Sequence, residues 1–365
     1  MRRVRIFALE PGQKVGRTIY SSMGETLLEA GVTLTPKYIN TLIKMGIPYI
    51  YIDDGLLTDM VVDDTVSLET RMAAVQQVKN ILLETKESGR LVIKPEAIYS
   101  TVRNFTDQLL SNKSLMVNLV DLRTQDDYTF AHSVNVCILS LMVGITLNFS
   151  REALALLGIA ALLHDLGKVN IPDRILNKPA NLTPEEYEIM RKHTLYGYEI
   201  IQSAKGFDAT TAVIALQHHE CYDGSGYPQG ISGEAFLEMA QIVGIADKFD
   251  ALTANRIYRK AFPAHEAYEM CAASGNFLFK ANIVKAFLQN IAAYPSGSLV
   301  ELNTGEFAVV KDTPRGLSRF PDVRILYDRH RRPLPLFKEI SLSKTVGLSI
   351  VKVLNEEEIR SLVGQ

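Results

Sequence analysis

Five histidines and two aspartates recur through the middle of this 365-residue sequence. Apart from two adjacent pairs, they are separated by about 25 to 32 residues, which is roughly one helix and its connection. If each lies on a different helix of a bundle, their side chains can project into one cavity. The residues are His132, His164, Asp165, His193, His218, His219 and Asp247.

Imidazole and carboxylate groups together suit iron, manganese, zinc or nickel, and they do not suit a thiolate zinc site or a calcium cage. Seven ligands exceed what one metal ordinarily takes from protein while it keeps an open position. A carboxylate has two oxygens and can bridge. Two metals that share Asp165 therefore account for the number of ligands.

Each residue also has a simpler interpretation. A single histidine such as His132 on an apolar helix is more often a hydrogen-bonded core residue, and Asp247 after IVGIA can cap a helix or turn. The adjacent pair His218 and His219 is harder to explain in this way, because two partly buried imidazoles need partners or a metal to offset desolvation. The joint pattern favours the metal site over separate structural roles.

The elements that must position these residues are helical. Residues from about 95 to 292 are dominated by helical patterns, in which His164 and Asp165 end one helix, and residues 120–292 are expected to form the central domain. Thr183-Pro184-Glu185-Glu186 marks the start of another, with an N-cap, a proline at N1 and a capping-box glutamate. The sequence predicts that His193 lies about ten residues into that helix.

The regions on either side have different residue patterns. Residues 1–62 contain short alternating stretches and a helix after Thr35-Pro36, which predicts a small α+β domain. Residues 63–119 form linking helices, and their first helix either packs on its own domain or forms a dimer seam. Residues 293–365 return to strands and predict a β-rich subdomain. The fold class is therefore mainly α, with two small accessory domains.

Composition excludes several classes of protein. With 47% hydrophobic and 22% charged residues and a net charge of −2, the chain is expected to be globular, without a global tendency to bind DNA. The cysteines Cys137, Cys221 and Cys271 lack the spacing of a disulfide framework or a thiolate metal site. We see no signal peptide and no membrane span, and we expect a cytoplasmic protein.

Four longer motifs make the sequence resemble the HD-GYP phosphodiesterases, which hydrolyse the bacterial second messenger cyclic di-GMP. The resemblance covers roughly residues 120–290. It is carried by HDLGKVNIPDRIL, KPANLTPEEYEIMRKHTLYGYEII, HHECYDGSGYPQGISG and ADKFDALTANRIYRKAF. The family implies an HD-type helical bundle as the catalytic core.

The resemblance also implies roles for individual residues. The seven histidines and aspartates named above would be the metal ligands. Lys168 would be catalytic, and the nucleotide pocket would include Gly226, Tyr227, Arg256 and Arg259.

The chemistry of phosphodiester hydrolysis explains this set. The diester charge repels a nucleophile, and two metals about 3.5–4 Å apart screen that charge and lower the pKa of a bridging water. Lys168, three residues after Asp165, shares its face if the helical turn continues and could stabilise developing charge. Arg256 and Arg259 give one helical face two guanidinium groups suited to phosphate or guanine. The alternative is that these three cations are simply solvated.

DGSGYP predicts a rigid turn. Gly224 and Gly226 permit positive φ and close backbone approach, and Tyr227 offers a ring or a hydroxyl to a ligand. A purely structural loop, or a surface for a cyclase-domain partner, would have the same sequence.

One departure from the family concerns a third metal, which some members bind through an acidic residue four positions before the first histidine. Tyr128 stands there, and Asp126 and Asp127 are out of register with His132. We therefore expect a binuclear site.

The sequence thus predicts a phosphodiesterase that converts cyclic di-GMP to pGpG with two divalent metals, iron or manganese first, and zinc, nickel or magnesium as alternatives. The competing interpretations are a hydrolase of another cyclic dinucleotide or nucleotide phosphate, and a nucleotide-responsive scaffold without turnover. The sequence does not determine the oligomeric state, and a homodimer is one possibility.

Overall fold

The computed structural model describes residues 1–21, 25–47, 49–53, 55, 65–112, 128–254 and 261–363. Four residues of the sequence-based hypotheses, Asp126, Asp127, Arg256 and Arg259, lie outside these ranges. Tyr128 begins a helix, but its side chain is outside the described part of the chain.

The N-terminal region combines small sheets with one helix. Strands β1, β5 and β2 form an antiparallel sheet in that order, and β3 pairs with β4. Thr35 caps helix α1 by accepting a hydrogen bond from the Tyr38 amide at 3.2 Å, as the sequence predicted. The bounds are β1 Arg2–Arg5, β2 Lys14–Val15, β3 Ile19–Tyr20, β4 Thr26–Leu28, α1 Pro36–Lys44 and β5 Tyr49–Asp53.

The central region is helical, and a 3-10 turn over Leu166–Asn170 follows its fourth helix. The helices are α2 Leu68–Ser88, α3 Pro95–Ser111, α4 Tyr128–Thr146, α5 Arg151–Leu163, α6 Asp173–Leu176, α7 Pro184–Arg191, α8 His193–Ser203, α9 Ala209–Gln217, α10 Glu238–Thr253, α11 Ala264–Ala272 and α12 Ala281–Leu288.

One hydrophobic core joins these helices apart from α6 and α7, and it extends from Val75 of α2 through Leu141 of α4 to Phe287 of α12. Helices α4, α5 and α10 lie at its centre, and their side chains are buried on nearly all faces. A helix that is apolar all round belongs in the interior of a bundle. Polar residues on these three helices are therefore held away from water, which matters for the site below.

The C-terminal region is a five-stranded antiparallel sheet followed by a helix. The strand order is β10-β6-β7-β8-β9, and hairpins turn at Asn303-Thr304-Gly305 and at Asp328–Arg332. The elements are β6 Leu299–Leu302, β7 Phe307–Asp312, β8 Asp322–Tyr327, β9 Pro333–Ser341, β10 Ile350–Val353 and α13 Glu356–Val363.

The two ends of the chain meet, which the sequence did not predict. Tyr51 of β5 packs in one apolar cluster with Leu299, Phe307 and Leu354. The Arg3 amide donates a hydrogen bond to the Gly297 carbonyl at 3.2 Å. The N-terminal sheet therefore rests on the C-terminal subdomain.

The prediction of a single helix that carries His193 in its interior was wrong. The capping box of Thr183 and Glu186 is present, but α7 ends at Arg191 and α8 begins at His193. The reason is local competition for carbonyls. The Thr194 hydroxyl donates to Arg191 at 3.0 Å, and Nδ1 of His193 pairs with the Met190 carbonyl at 2.7 Å.

The predicted fold class is confirmed, since about half of the chain is helical and a β-rich subdomain follows. The boundaries at 62, 119 and 292 stay predictions. Within the described residues, no helix combines the length and apolar character needed to cross a membrane.

Candidate metal centre

Three of the histidines stand at the ends of helices. His164 follows the last residue of α5, His218 follows the last residue of α9, and His193 lies at the break between α7 and α8. The last carbonyls of a helix have no partner within it. Each ring uses one of them: the three Nδ1 atoms lie 2.7, 2.7 and 2.8 Å from the carbonyl three residues earlier, at Ala161, Met190 and Ala215 respectively.

These contacts fix the tautomer of each ring. A carbonyl oxygen can only accept a hydrogen bond, so Nδ1 must carry the proton and Nε2 must present a lone pair when the ring is neutral. The Nε2 atoms of His193 and His218 lie 3.3 Å apart. Two lone pairs at that distance repel each other, and a cation that both can bind removes the repulsion.

Asp165 lies between two groups of imidazoles. Its Oδ1 atom is 3.5 Å from Nε2 of His193 and 3.9 Å from Nε2 of His218. Its Oδ2 atom is 3.6 Å from Nε2 of His132 and 3.4 Å from Nε2 of His164. Each oxygen of one carboxylate therefore faces a different pair of nitrogens.

Asp247 of α10 completes the cluster. Its Oδ1 atom lies 3.1 Å from Nε2 of His132, and its Oδ2 atom lies 3.8 Å from Nδ1 of His219. All seven residues named from the sequence are thus brought together. Their potential ligand atoms form three groups, each within 4.8 Å, that could hold a metal: His193, His218 and His219; His132, His164 and Asp247; and His164, Asp165 and His218.

Burial sets the charges of the histidines. It lowers the pKa of His193 to about 4 and that of His219 to about 3, and it holds the pKa of His218 well below its usual value. These rings are therefore neutral near pH 7, which is the form that binds a metal. His132 differs: burial would lower its pKa, but hydrogen bonds to Asp247 and Asp250 outweigh burial and raise it to about 9.

Both aspartates are ionised. Burial would raise the pKa of Asp165, but the Lys168 ammonium and His164 hold it well below the usual range. For Asp247, burial would likewise raise the pKa, and His132 holds it far below normal. The centre therefore offers two carboxylates and the neutral imidazoles of His193, His218 and His219, while the His132 ring carries a second proton.

The arrangement fits the metal that this chemistry implies. Nε2 of His164 and Oδ1 of Asp165 are buried and accept no hydrogen bond from any described residue. A buried polar atom without a partner costs free energy, and His164 is fully buried while Asp165 is 2% exposed. A cation bound between these atoms would satisfy both of them.

A close backbone contact holds the 3-10 turn against α8. A Cβ atom on Gly167 would lie 2.0 Å from the His193 carbonyl oxygen and 2.3 Å from the Gly197 amide. Only glycine allows this approach. The contact brings Asp165 and Lys168, on either side of Gly167, to the candidate metal ligand His193.

Lys168 lies on the face that the sequence predicted, because the helical turn continues as the 3-10 turn. Its Nζ donates a hydrogen bond to Oδ2 of Asp165. The side chain is about a quarter exposed, at 26%. The ammonium therefore lies at the mouth of the centre, beside the carboxylate that faces both imidazole groups.

The Gly226-Tyr227 loop covers His219. A Cβ atom on Gly226 would lie 2.4 Å from Cα of Glu220, so the loop packs directly on the segment that follows His218 and His219. The buried Glu220 carboxylate accepts a hydrogen bond from the Gln229 amide at 2.7 Å. The Tyr227 ring stacks on His219 with a centroid distance of 4.8 Å.

Sequence reasoning missed the residues that surround Tyr227. The Arg191 guanidinium lies 4.6 Å from the centre of the Tyr227 ring, and Tyr187 meets that ring edge to face at 6.3 Å. Both residues lie on α7, one helical turn apart. Their spacing of four placed them on one face, but nothing in the sequence connected that face with the loop.

Sequence reasoning also missed the partners of His132. Nδ1 of His132 donates to Oδ2 of Asp250 at 2.7 Å, and the Asn135 amide donates to Oδ1 of Asp250 at 3.0 Å. Asp250 is three residues after Asp247, and Asn135 is three residues after His132. This helical spacing was an available signal, because ligating histidines usually pass their second nitrogen to such a group.

Comparison with known proteins agrees with this geometry. Residues 106–279 match the family model of the HD domain, and residues 299–362 match a KOW domain associated with the HD domain. The HD-domain match covers most of the helical region with the candidate metal centre, and the KOW match covers the C-terminal sheet and its last helix.

Curated relatives define the group more narrowly. The cyclic di-GMP phosphodiesterase PA4108 of Pseudomonas aeruginosa is 34% identical over 64% of this chain and 56% of its own length. The cyclic di-GMP phosphodiesterase response regulator RpfG of Xanthomonas campestris is 39% identical over 47% of this chain and 44% of its own. The 3'3'-cGAMP-specific phosphodiesterase 2 of Vibrio cholerae is 33% identical over 53% and 37% respectively.

The chain thus spans 56%, 44% and 37% of the length of these three relatives. The resemblance to the HD-GYP family is borne out by these relatives.

Proposed function

We propose that the protein is a metal-dependent phosphodiesterase that hydrolyses cyclic di-GMP to pGpG in bacterial signalling. The observation that carries this proposal is the position of Asp165, whose two oxygens face two different pairs of imidazole nitrogens. A carboxylate placed in this way could be shared by two cations. The names of the curated relatives supply the class of substrate.

Two divalent metals, iron or manganese first, would be held by the seven ligands, with Asp165 shared between them. When bound, they would screen the phosphodiester charge and supply a hydroxide near neutral pH. His193, His218 and His219 belong to one side of Asp165, while His132, His164 and Asp247 belong to the other. Five imidazoles and two carboxylates are ligand types that such ions accept.

The remaining residues serve the substrate. Lys168 at the mouth of the centre places an ammonium where charge develops on the phosphoryl group or the leaving oxygen. Tyr227, held over His219 by the Gly226 contact, offers a ring to a base or a hydroxyl to a phosphate. We keep Arg256 and Arg259 as further contacts to phosphate or guanine.

Three broader predictions belong to the same proposal. A homodimer and a contact between the Gly226-Tyr227 loop and a cyclase domain stay predictions, although the apolar residues of α2, the candidate dimer seam, pack in the protein's own helical core. Three cysteines without paired spacing favour the cytoplasm, where a bacterial second messenger is degraded.

The test is a hydrolysis assay with the whole chain. Purified protein is loaded with manganese or ferrous iron and incubated separately with cyclic di-GMP, 3'3'-cGAMP and cyclic di-AMP, and the products are separated by chromatography. We expect pGpG from cyclic di-GMP as the main reaction, and no product from the Asp165→Asn variant. Faster turnover of 3'3'-cGAMP would make that nucleotide the preferred substrate in place of cyclic di-GMP. Absence of turnover with all three nucleotides would contradict the proposed enzymatic function.

A further inference from the structure

Four buried polar side chains connect helix α2 to the metal centre. Arg71 of α2 donates from Nη2 to Oδ1 of Asn135 at 3.1 Å, and Nδ2 of Asn135 donates to Oδ1 of Asp250 at 3.0 Å. Oδ2 of Asp250 accepts from Nδ1 of His132 at 2.7 Å. The four residues are 5%, 3%, 0% and 3% exposed in that order. We call them the Arg71–His132 chain.

The direction of every hydrogen bond in this chain follows from its first member. A guanidinium can only donate, so Oδ1 of Asn135 must point toward Arg71 and its NH₂ group toward Asp250. One oxygen of Asp250 is then occupied, and the other accepts the Nδ1 proton of His132. Nε2 of His132 is left to face Asp247 at 3.1 Å. The ring plane and tautomer of a metal ligand are therefore set from another helix.

The three helix-end histidines are oriented differently from His132. His164, His193 and His218 each use a backbone carbonyl three residues earlier, so their orientation is local. His132 lies within α4, where the backbone carbonyls are engaged in the helix, and its Nδ1 contact is a side chain of α10. Its orientation depends on how three helices pack together.

Burial makes the members of this chain depend on one another. Asp250 is fully buried, and a carboxylate removed from water needs charged or polar donors to offset its lost hydration. Removing one partner of a buried ionic group leaves the others uncompensated. A change at Arg71 should therefore reach His132 through Asn135 and Asp250.

We propose that Asp250 is a positioning residue for the metal ligand His132, and that Arg71 of α2, acting through Asn135, holds Asp250 in place. Helix α2 comes after the N-terminal sheets in the sequence, so the Arg71–His132 chain gives a displacement of α2 a path to the metal centre. The inference rests on the proposed metal function in one respect, namely that His132 binds a cation.

If the Arg71–His132 chain had a purely structural role, breaking it would lower the stability of the protein and leave the metal centre unchanged. The two roles are separated by measurements on the site itself. We would titrate the metal-free whole chain with Mn²⁺ by calorimetry, and we would record the Nδ1 proton resonance of His132 by NMR in the absence of metal. The thermal midpoint of each variant shows whether it is folded.

The variants are Arg71→Met, Asp250→Asn and their combination. The matched control is Gln77→Met on the same helix. The side chain of Gln77 accepts a hydrogen bond from Thr101 of α3 and does not belong to the Arg71–His132 chain. Should Asp250→Asn prove too unstable, Arg71→Lys keeps the charge, loses the planar fork and gives the same comparison.

We expect Asp250→Asn to weaken Mn²⁺ binding by about 10- to 100-fold. Arg71→Met should weaken it by about 2- to 30-fold, in the range of coupling through a packed network. The double variant should resemble Asp250→Asn alone, because both changes act on one pathway. The His132 Nδ1 resonance should move in Arg71→Met and stay in place in Gln77→Met.

An unchanged Mn²⁺ affinity and an unchanged His132 resonance in Arg71→Met would overturn the proposal, even if the protein were less stable. Equal effects of Arg71→Met and Gln77→Met would overturn it as well, since they would reflect general loosening of α2. If the wild type bound no metal, the proposed function would fail, and the NMR comparison would still decide whether Arg71 sets the His132 ring.

Discussion

The Nε2 atoms of His193 and His218 lie 3.3 Å apart, and the Nδ1 atom of each ring faces the backbone carbonyl three residues earlier. Neither nitrogen can donate to the other while both rings are neutral, and burial lowers the pKa of both. The contact therefore opposes folding of the metal-free protein, and a bound cation reverses it.

The first prediction is that metal stabilises the fold. Binding to the native state alone adds about 2.7 kcal/mol to the free energy of unfolding when free metal reaches 100 times its dissociation constant. Differential scanning fluorimetry should show a higher midpoint with Mn²⁺ than with a chelator. His218→Ala should reduce the shift. An equal shift in that variant would place the stabilising metal elsewhere.

The second prediction concerns Asp165. Asp165→Asn should lower metal content from two ions per chain and abolish hydrolysis, because the group that faces both imidazole pairs loses its charge. Metal analysis of anaerobically purified protein gives the count. His330→Ala is the control, since His330 is an exposed residue in the β8–β9 turn. Three ions in the wild type would contradict the binuclear site.

The third prediction concerns Lys168. Lys168→Ala should reduce kcat by about 10²-fold or more, as expected when a charge-stabilising group is lost, while metal content is kept. The ammonium also pairs with Asp165, so metal content must be measured in the same sample. Loss of metal together with activity would assign Lys168 to holding Asp165.

The fourth prediction concerns protons. The pKa of His132 is raised from 6.5 to about 9 in the metal-free protein, so Nε2 is protonated at pH 7.5. It must release that proton to the buffer before it can bind a metal. Metal binding should release about one proton per chain at pH 7.5. Affinity should rise about tenfold per pH unit toward pH 9 and then level off.

Calorimetry in buffers of different ionisation enthalpy measures this release. His193 and His219 add little to it, because their pKa values of about 4 and 3 leave them unprotonated at pH 7.5. Binding without any proton release would mean that His132 is not a ligand.

The fifth prediction concerns Gly167. Gly167→Ala should destabilise the protein by about 1–3 kcal/mol and weaken metal binding, because its methyl group must push the 3-10 turn away from His193. Gly275→Ala is the matched control, since its nearest contacts would be at 3.8 and 3.9 Å. Thermal midpoints and Mn²⁺ titrations of both variants provide the comparison, and equal behaviour would argue against the close contact.

The sequence by itself determined which residue types form the centre and the order in which the chain supplies them. The seven histidines and aspartates were identified from type and spacing, because one ligand set per helix leaves a repeat that can be read along the chain. Local signals of short range, such as the Thr35 cap and the Thr183–Glu186 capping box, were also correct. They depend on atoms within four residues of each other.

Only the tertiary structure decided which nitrogen of each ring faces the centre, and which oxygen of Asp165 faces which pair. The same is true of Arg71 and Asn135, which meet across 64 residues of chain, and of Tyr51, which packs on the C-terminal sheet. These contacts join residues far apart in sequence. Their partners are chosen by how helices and sheets pack, and no local pattern records that choice.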